Sequence, residues 1–266
     1  MDDTDLWMDL MGLADRIVIS DDRTRLVNVW RDTLLSCYHN PIVNSMKYNS
    51  TILAQKLNPP IYSSTEITVI NADTLDILHK LTDEGLHPVG LNMANDETPG
   101  GGVRSGAGAQ EECIFRRTDY FRTLVDDFYP LIDNELVYSP VVNVFKTADY
   151  SICDTWRTSF IACAALRNPD LVVDDDTGFE TYSELDYRIM KLKIAMIYHT
   201  ACVNDHDSLV LGAFGCGAFN NPPHEVAQIY NEINKIYSGY FRKIVYAVKS
   251  TNDINFDMFD CIIGGT

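Results

Sequence analysis

The sequence predicts an α/β protein, a three-layer sandwich built around a mixed sheet. Three observations carry that expectation. Short apolar and β-branched runs recur along the chain, each closed by Gly, Pro, Asn or Asp. Between them lie stretches whose apolar residues recur at helical spacing. Two glycine-rich loops, at 99–108 and 212–219, each leave a strand-like run and enter a helix-like one. The 266 residues suit one large domain, with or without an extension, because single cores stop growing near about 250–300 residues. A hydrophobic content of 46 % excludes a chiefly disordered chain.

Taken in order, residues 1–60 read as a helical N-terminal extension. Trp30, Leu34 and Leu35 fall at helical spacing after the cap-like Ser20-Asp21-Asp22, and Asn58-Pro59-Pro60 breaks the pattern. Residues 61–266 read as the main domain. Glu66–Asn71 predicts a strand, Asp73–Leu81 a helix and Val89–Met93 a second strand. The first glycine loop then feeds a helix, and Leu136–Phe145 is β-rich. Phe160–Leu166 suits a strand or a buried helix start equally well. Tyr182–Tyr198 has helical spacing, Asp207–Phe214 is a strand running into the second loop, 224–237 a helix and Lys243–Val248 a last strand. Residues 169–183 read as an exposed acidic insertion that decorates the surface.

The formal charge is −17, which argues against sequence-independent nucleic-acid binding and against an anionic membrane surface. A phosphate-bearing ligand would need a local site, and backbone N–H groups supply one without Lys or Arg. The seven cysteines are scattered, form no C-x-x-C and read as reduced thiols rather than a zinc site. The acidic start MDDTDLWMDL resembles neither a signal nor a transit peptide. No apolar run approaches the about 18 residues of a membrane helix. The expected setting is intracellular, cytoplasmic or nuclear.

The chemistry concentrates in the two loops. Gly100, Gly101 and Gly102 permit close backbone approach and positive φ, so their N–H groups can converge on an anion. Three glycines alone also suit a plain flexible turn. Their place between a strand and a helix that opens Gln110-Glu111-Glu112 points to a ligand site, since ligands collect at the carboxyl ends of α/β strands. The second loop, Gly212-Ala213-Phe214-Gly215-Cys216-Gly217-Ala218-Phe219, has the same placement, and together the two suggest a clamp around a diphosphate. Neither is a phosphate-binding G-x-x-x-x-G-K-[S/T] loop or a G-x-G-x-x-G dinucleotide fingerprint. Glu111 and Glu112 project about 100° apart on a helix. They read either as charges favoured by the helix dipole or as two carboxylates with divided roles, as glycoside cleavage requires.

The combination GGG, seven residues, then QEE resembles the bacterial-type poly(ADP-ribose) glycohydrolases of the macrodomain superfamily. Leu91-Asn92-Met93-Ala94, Tyr138-Ser139-Pro140, Val144-Phe145, Phe160–Ala165 and Leu211–Gly217 with Phe219, Asn221 and Pro222 extend the resemblance over roughly residues 61–250. The resemblance implies a macrodomain-like fold and hydrolysis of the ribose–ribose bond of poly(ADP-ribose), with ADP-ribose released from chain ends. It implies Glu112 as the catalytic acid and Glu111 as the holder of a neighbouring ribose hydroxyl. Gly100, Gly101, Gly102, Gly215, Cys216, Gly217 and Ala218 would wrap the diphosphate and distal ribose, with Gln110 at the same site. Phe219 would pack on that ribose and Asn95 would bond its hydroxyls. No metal and no cofactor is implied. The substrate partners would be poly(ADP-ribose) or ADP-ribosylated proteins, with no membrane and no sequence-specific nucleic acid.

Two other functions fit the same ligand. One is a macrodomain that reads ADP-ribose without cleaving it, which needs no carboxylate at 112. The other is a hydrolase of mono-ADP-ribosylated protein or nucleic acid. Asp73 suits an adenine acceptor or a helix cap. The histidines form no paired metal pattern, and Cys216 reads as a small structural residue rather than a nucleophile. Asp96 and Glu97 place two carboxylates beside an expected phosphate ligand, an electrostatic disadvantage.

Overall fold

The computed structural model describes residues 21–36, 42–173, 178–249 and 254–265. Nine strands and six helices longer than a 3₁₀ turn are named here in chain order. They are α1 (Asp21–Ser36), β1 (Met46–Asn49), β2 (Glu66–Ile70), α2 (Thr74–Asp83), β3 (Pro88–Met93) and α3 (Gln110–Arg117). Then follow β4 (Glu135–Lys146), β5 (Ile152–Cys163), β6 (Leu171–Val173), β7 (Glu180–Tyr182) and α4 (Glu184–Val203). The chain closes with β8 (Ser208–Leu211), α5 (Pro223–Ile236), β9 (Lys243–Ala247) and α6 (Ile254–Phe259).

Seven strands form one mixed sheet in the order β1-β4-β5-β3-β8-β9-β2. The five from β5 to β2 run parallel, while β4 is antiparallel to β5 and β1 antiparallel to β4. Side-chain alternation along each strand feeds two cores. On one face Val210, Val245 and Ala247 join Leu75, Leu78 and Leu81 of α2, Ile114 and Phe115 of α3, and Trp30 of α1. On the other, Leu209, Leu211, Ile244 and Tyr246 join Ile194 and Ile197 of α4, Val226 and Ile229 of α5, and Phe259 of α6. The expected three-layer sandwich is therefore present. Because β2, β3, β5, β8 and β9 are parallel, their carboxyl ends share one edge, and both glycine loops open there.

Phe160–Cys163 is strand, which settles the ambiguity at 160–166, and β5 begins eight residues earlier, at Ile152. Of the 1–60 segment, 21–36 is helical as expected, but Met46–Asn49 is an edge strand paired with β4. The sheet therefore draws on residues upstream of position 61. The N-terminal residues 1–20 lie outside the described residues. The insertion also differs from expectation: Leu171–Val173 and Glu180–Tyr182 pair as a small antiparallel hairpin. Its last residue, Tyr182, is buried, and its hydroxyl donates to Asn221 Oδ1 at 2.7 Å. An aromatic anchor inside an acidic segment thus ties the hairpin to the second glycine loop rather than leaving it as decoration. Among the described residues no helix is long and apolar enough to cross a membrane.

Candidate active site

The first loop is shaped by what lies behind it. Gly100 (φ +77°) and Gly101 (φ +49°) take the left-handed conformation, which only glycine adopts without strain. A Cβ on Gly100 would sit 2.5 Å from the Phe115 ring, and one on Gly101 2.7 Å from Glu112 Oε1. These glycines are required by packing as well as by φ. Buried Arg116 fastens the far side of the loop. Its Nη2 donates to Val103 O (3.3 Å) and Ala107 O (2.5 Å), and its Nε to Leu26 O of α1 (3.1 Å). Helix α1 also receives Lys146, whose buried ammonium bonds Asp32 Oδ2 at 2.6 Å and Thr33 Oγ1 at 2.8 Å. The N-terminal helix thus buttresses both the loop and the β4 end.

Helix α3 carries the two glutamates in its first turn, and both are buried, at 3 % and 7 % exposure. Glu111 Oε1 accepts from Asn92 Nδ2 and Gly100 N, both at 3.1 Å, and Oε2 accepts from Asn95 N at 2.7 Å. Burial raises the Glu111 pKa to about 8, helped by the neighbouring Glu112 charge and opposed by those three N–H bonds. Glu112 is held by one oxygen: Oε1 accepts from Gly102 N at 2.9 Å, while buried Oε2 has no partner among the described residues. Two adjacent carboxyls therefore differ sharply. One accepts three N–H bonds and the other has a buried oxygen in reserve, the division of roles a carboxylate pair needs.

Gln110 has a structural task. Its Oε1 accepts from Met93 N at 2.8 Å and its Nε2 donates to Leu91 O at 2.8 Å and Thr74 Oγ1 at 3.0 Å. That amide pins α3 to the end of β3 and to α2, and its hydrogen bonds go to the protein. Asn95 likewise uses Oδ1 to accept from Glu97 N and Thr98 N, an Asx turn that shapes the entry to GGG. Asp73 caps α2 through Leu75 N and receives Arg117 Nη1 at 2.5 Å.

The second loop has a lighter frame. Gly215 is left-handed (φ +77°), and a Cβ there would meet Ala165 Cβ and Asn221 Nδ2, each at 2.4 Å. Asn221 Nδ2 in turn donates to Leu166 O (2.7 Å), Gly215 O (3.1 Å) and Phe219 O (3.2 Å). Beyond it Gly217 faces open space, with nothing within 4 Å of a would-be Cβ among the described residues. Cys216 is half-buried with Sγ against Phe214 O at 3.6 Å, and Ala218 is exposed. Phe219 is half-buried beneath the Arg167 guanidinium.

Next to the loops lies a cavity of about 360 Å³, lined by Asp73, Met93, Gln110, Cys113, Gly217 and Lys249 among others. It opens at the carboxyl ends of β2, β3, β8 and β9, where an α/β sheet receives ligands. All the sequence-predicted site residues thus gather at one sheet edge, with Gln110 serving the scaffold. Sequence reasoning missed Asn92, Arg116, Arg167, Tyr182 and the full role of Asn221. Asn92 carried a signal, a polar residue inside the apolar run VGLNM. The others are long-range contacts without one.

Comparison with known proteins places this geometry. Residues 33–147, which contain the first loop and both glutamates but not the second loop, match the family described as microbial-type PARG, catalytic domain. Among curated proteins none matches the chain. Among solved structures, poly(ADP-ribose) glycohydrolase from Thermomonospora curvata superposes with a TM-score of 0.77 at 25 % identity, covering 90 % of this chain and 100 % of that one. The same enzyme bound to the inhibitor ADP-HPD gives 0.74 at 24 %, covering 90 % and 99 %. A T267K mutant of the Deinococcus radiodurans enzyme in complex with ADP-ribose gives 0.69 at 20 %, covering 82 % and 93 %.

Proposed function

We propose that this chain, a bacterial-type poly(ADP-ribose) glycohydrolase in family match and in fold, cleaves the terminal ribose–ribose bond of the polymer with Glu112 as general acid and then base. The observation that carries the assignment is the state of Glu112, fixed through Oε1 on the Gly102 amide with Oε2 buried and unpartnered. Oε2 is the atom from which a proton passes to the departing glycosidic oxygen. The same carboxylate then takes a proton from the water that attacks the sugar. Glu111, drawn into place by Asn92, Asn95 and Gly100, holds the adjacent ribose hydroxyl. With a pKa raised to about 8 it carries its proton at neutral pH. Three N–H donors leave one lone-pair position on Oε2 for that proton, which a ribose hydroxyl can accept.

The charge that develops at the anomeric carbon is oxocarbenium-like. The substrate's own diphosphate, held by backbone amides of 100–102 and 215–217, supplies the opposing charge without reorganisation at the moment of reaction. Phe219 packs on the distal ribose, and the cavity beside Asp73 takes the adenosine end. The leaving polymer exits past the glutamates, so ADP-ribose is released from chain ends.

The test is incubation with labelled poly(ADP-ribose) and, in parallel, with mono-ADP-ribosylated protein. The expected result is free ADP-ribose from the earliest time points of the polymer reaction, with the protein-linked unit retained. Release of the protein-linked unit would convert the reading to a mono-ADP-ribosyl hydrolase. Oligomers as first products would overturn the terminal mode.

A further inference from the structure

The first loop sets Asp96 and Glu97 beside a site meant for a diphosphate, a charge pattern that opposes the ligand. The fold answers from across the cleft. Segment 166–168, just past β5, is sewn to the second loop. Asn168 N donates to Phe219 O (2.9 Å), Asn221 Nδ2 to Leu166 O (2.7 Å) and Asn220 Nδ2 to Asn168 Oδ1 (2.6 Å). From that base Arg167 reaches the first loop. Its Nε lies 3.1 Å from each Asp96 oxygen and its Nη2 bonds Oδ1. Its guanidinium carbon stands 4.4 Å above the Phe219 ring centroid. Asp96 is itself fixed, its carbonyl accepting from Leu131 N at 2.8 Å. Asp96 immediately follows Asn95, whose amide bonds Glu111. The bridge therefore spans the cleft on the glutamate side, and neither Arg167 nor Asp96 lines the cavity near Asp73.

We propose that Arg167 is a positioning residue, a strut that locks the two glycine loops at one spacing and sets the Phe219 ring as the wall for the terminal ribose. The inference rests on the poly(ADP-ribose) glycohydrolase reading and deepens it by naming what aligns the two halves of the clamp. A planar fork that bonds a carboxylate with one edge while stacking on an aromatic face is a task lysine performs poorly. Arg167 and Asp96 are both partly exposed, at 39 % and 27 % of their side chains, so the pair adds little to global stability. Its effect falls on preorganisation, and hence on binding.

The experiment is calorimetric titration of ADP-ribose into Arg167→Ala, Arg167→Lys, Asp96→Ala and the double alanine variant, with polymer-hydrolysis kinetics alongside. A strut predicts that Arg167→Ala raises Kd and KM about tenfold while kcat changes far less, and that Arg167→Lys recovers part of the loss. It also predicts that Asp96→Ala weakens binding, although that change removes a negative charge beside the diphosphate. The double variant should be no worse than either single one, because the two residues act as one unit. Tighter binding in Asp96→Ala, additive losses, or unchanged affinity in Arg167→Ala would each overturn the strut. Calorimetry separates this from the parent reading: wild type that binds ADP-ribose but releases none from polymer refutes the hydrolase, while the variants still decide the strut. Absence of ADP-ribose binding by wild type overturns both.

Discussion

The two glycine loops share composition and placement, yet they are held in different ways. The first is fixed from three directions: Phe115 beneath Gly100, Arg116 on its carbonyls, and two glutamates on the amides of Gly100 and Gly102. The second depends on Asn221, one side-chain amide that reaches three carbonyls, and on Tyr182 behind it. A Cβ added at its Gly217 would meet nothing within 4 Å among the described residues. The loop that lies against the two glutamates of α3 is held tightly, and the loop opposite it is left with open space at Gly217. Packing and φ require glycine at Gly100, Gly101 and Gly215, whereas at Gly217 the protein itself leaves room for a side chain.

The largest effect is expected at Gly101. A methyl group there lies 2.7 Å from Glu112 Oε1 on backbone with φ +49°, so Gly101→Ala displaces the carboxyl proposed as the general acid. The expected outcome is a loss in kcat on the order of 10²-fold, the size associated with a misplaced reacting group, together with a lowered melting temperature. Unchanged kcat would remove Glu112 Oε1 from the account.

Glu111, which accepts three N–H bonds, gives a pH signature. Its pKa in the folded protein is raised to about 8 from an ordinary 4.5, so the folded state binds this proton more tightly than the unfolded state. The resulting stabilisation is full below about pH 4.5 and is lost as pH rises through about 8. Relative to wild type, Glu111→Gln should therefore gain stability steadily over that window, whatever its offset at acid pH. Parallel denaturant midpoints at pH 4 to 9 check this, and a constant gap between the two proteins would contradict it.

The mildest effect belongs to Gly217. With nothing within 4 Å of a new Cβ, Gly217→Ala should leave stability within about 0.5 kcal/mol of wild type. KM should nevertheless rise several-fold, because the methyl group enters the space proposed for the diphosphate. Thermal melts and kinetics on one preparation test both halves, and an unaltered KM would place the ligand elsewhere.

Much of this was legible in the sequence because its signals are local. The runs EITVI and KIVYA, the helix after Asp73 and both glycine loops announce themselves within ten residues. Met46–Asn49 did not, because MKYN is a short, largely exposed edge strand whose pairing with β4 is about 90 residues distant. The outer half of β5 was hidden for a similar reason: Ile152–Arg157 is mostly exposed, and its pairing with β4 is interrupted by register shifts. At the site, the glycines and glutamates stood out by their spacing, whereas the bonds of Gln110 to Met93 N, Leu91 O and Thr74 Oγ1 join distant segments and had no local signal, although the residue also lines the cavity. Arg167 and Asn221 acquire meaning only when β5 and β8 lie on the same side of the fold.

The proposed mechanism has Glu112 supply the proton while the two loops supply the grip. It is tested most directly by Glu112→Gln, measured for polymer hydrolysis and for ADP-ribose binding on the same preparation. The account predicts a rate lowered by about 10²–10⁴-fold, the usual contribution of a general acid–base group, with ADP-ribose affinity retained. Hydrolysis at the wild-type rate would contradict it and move the chemistry to another residue.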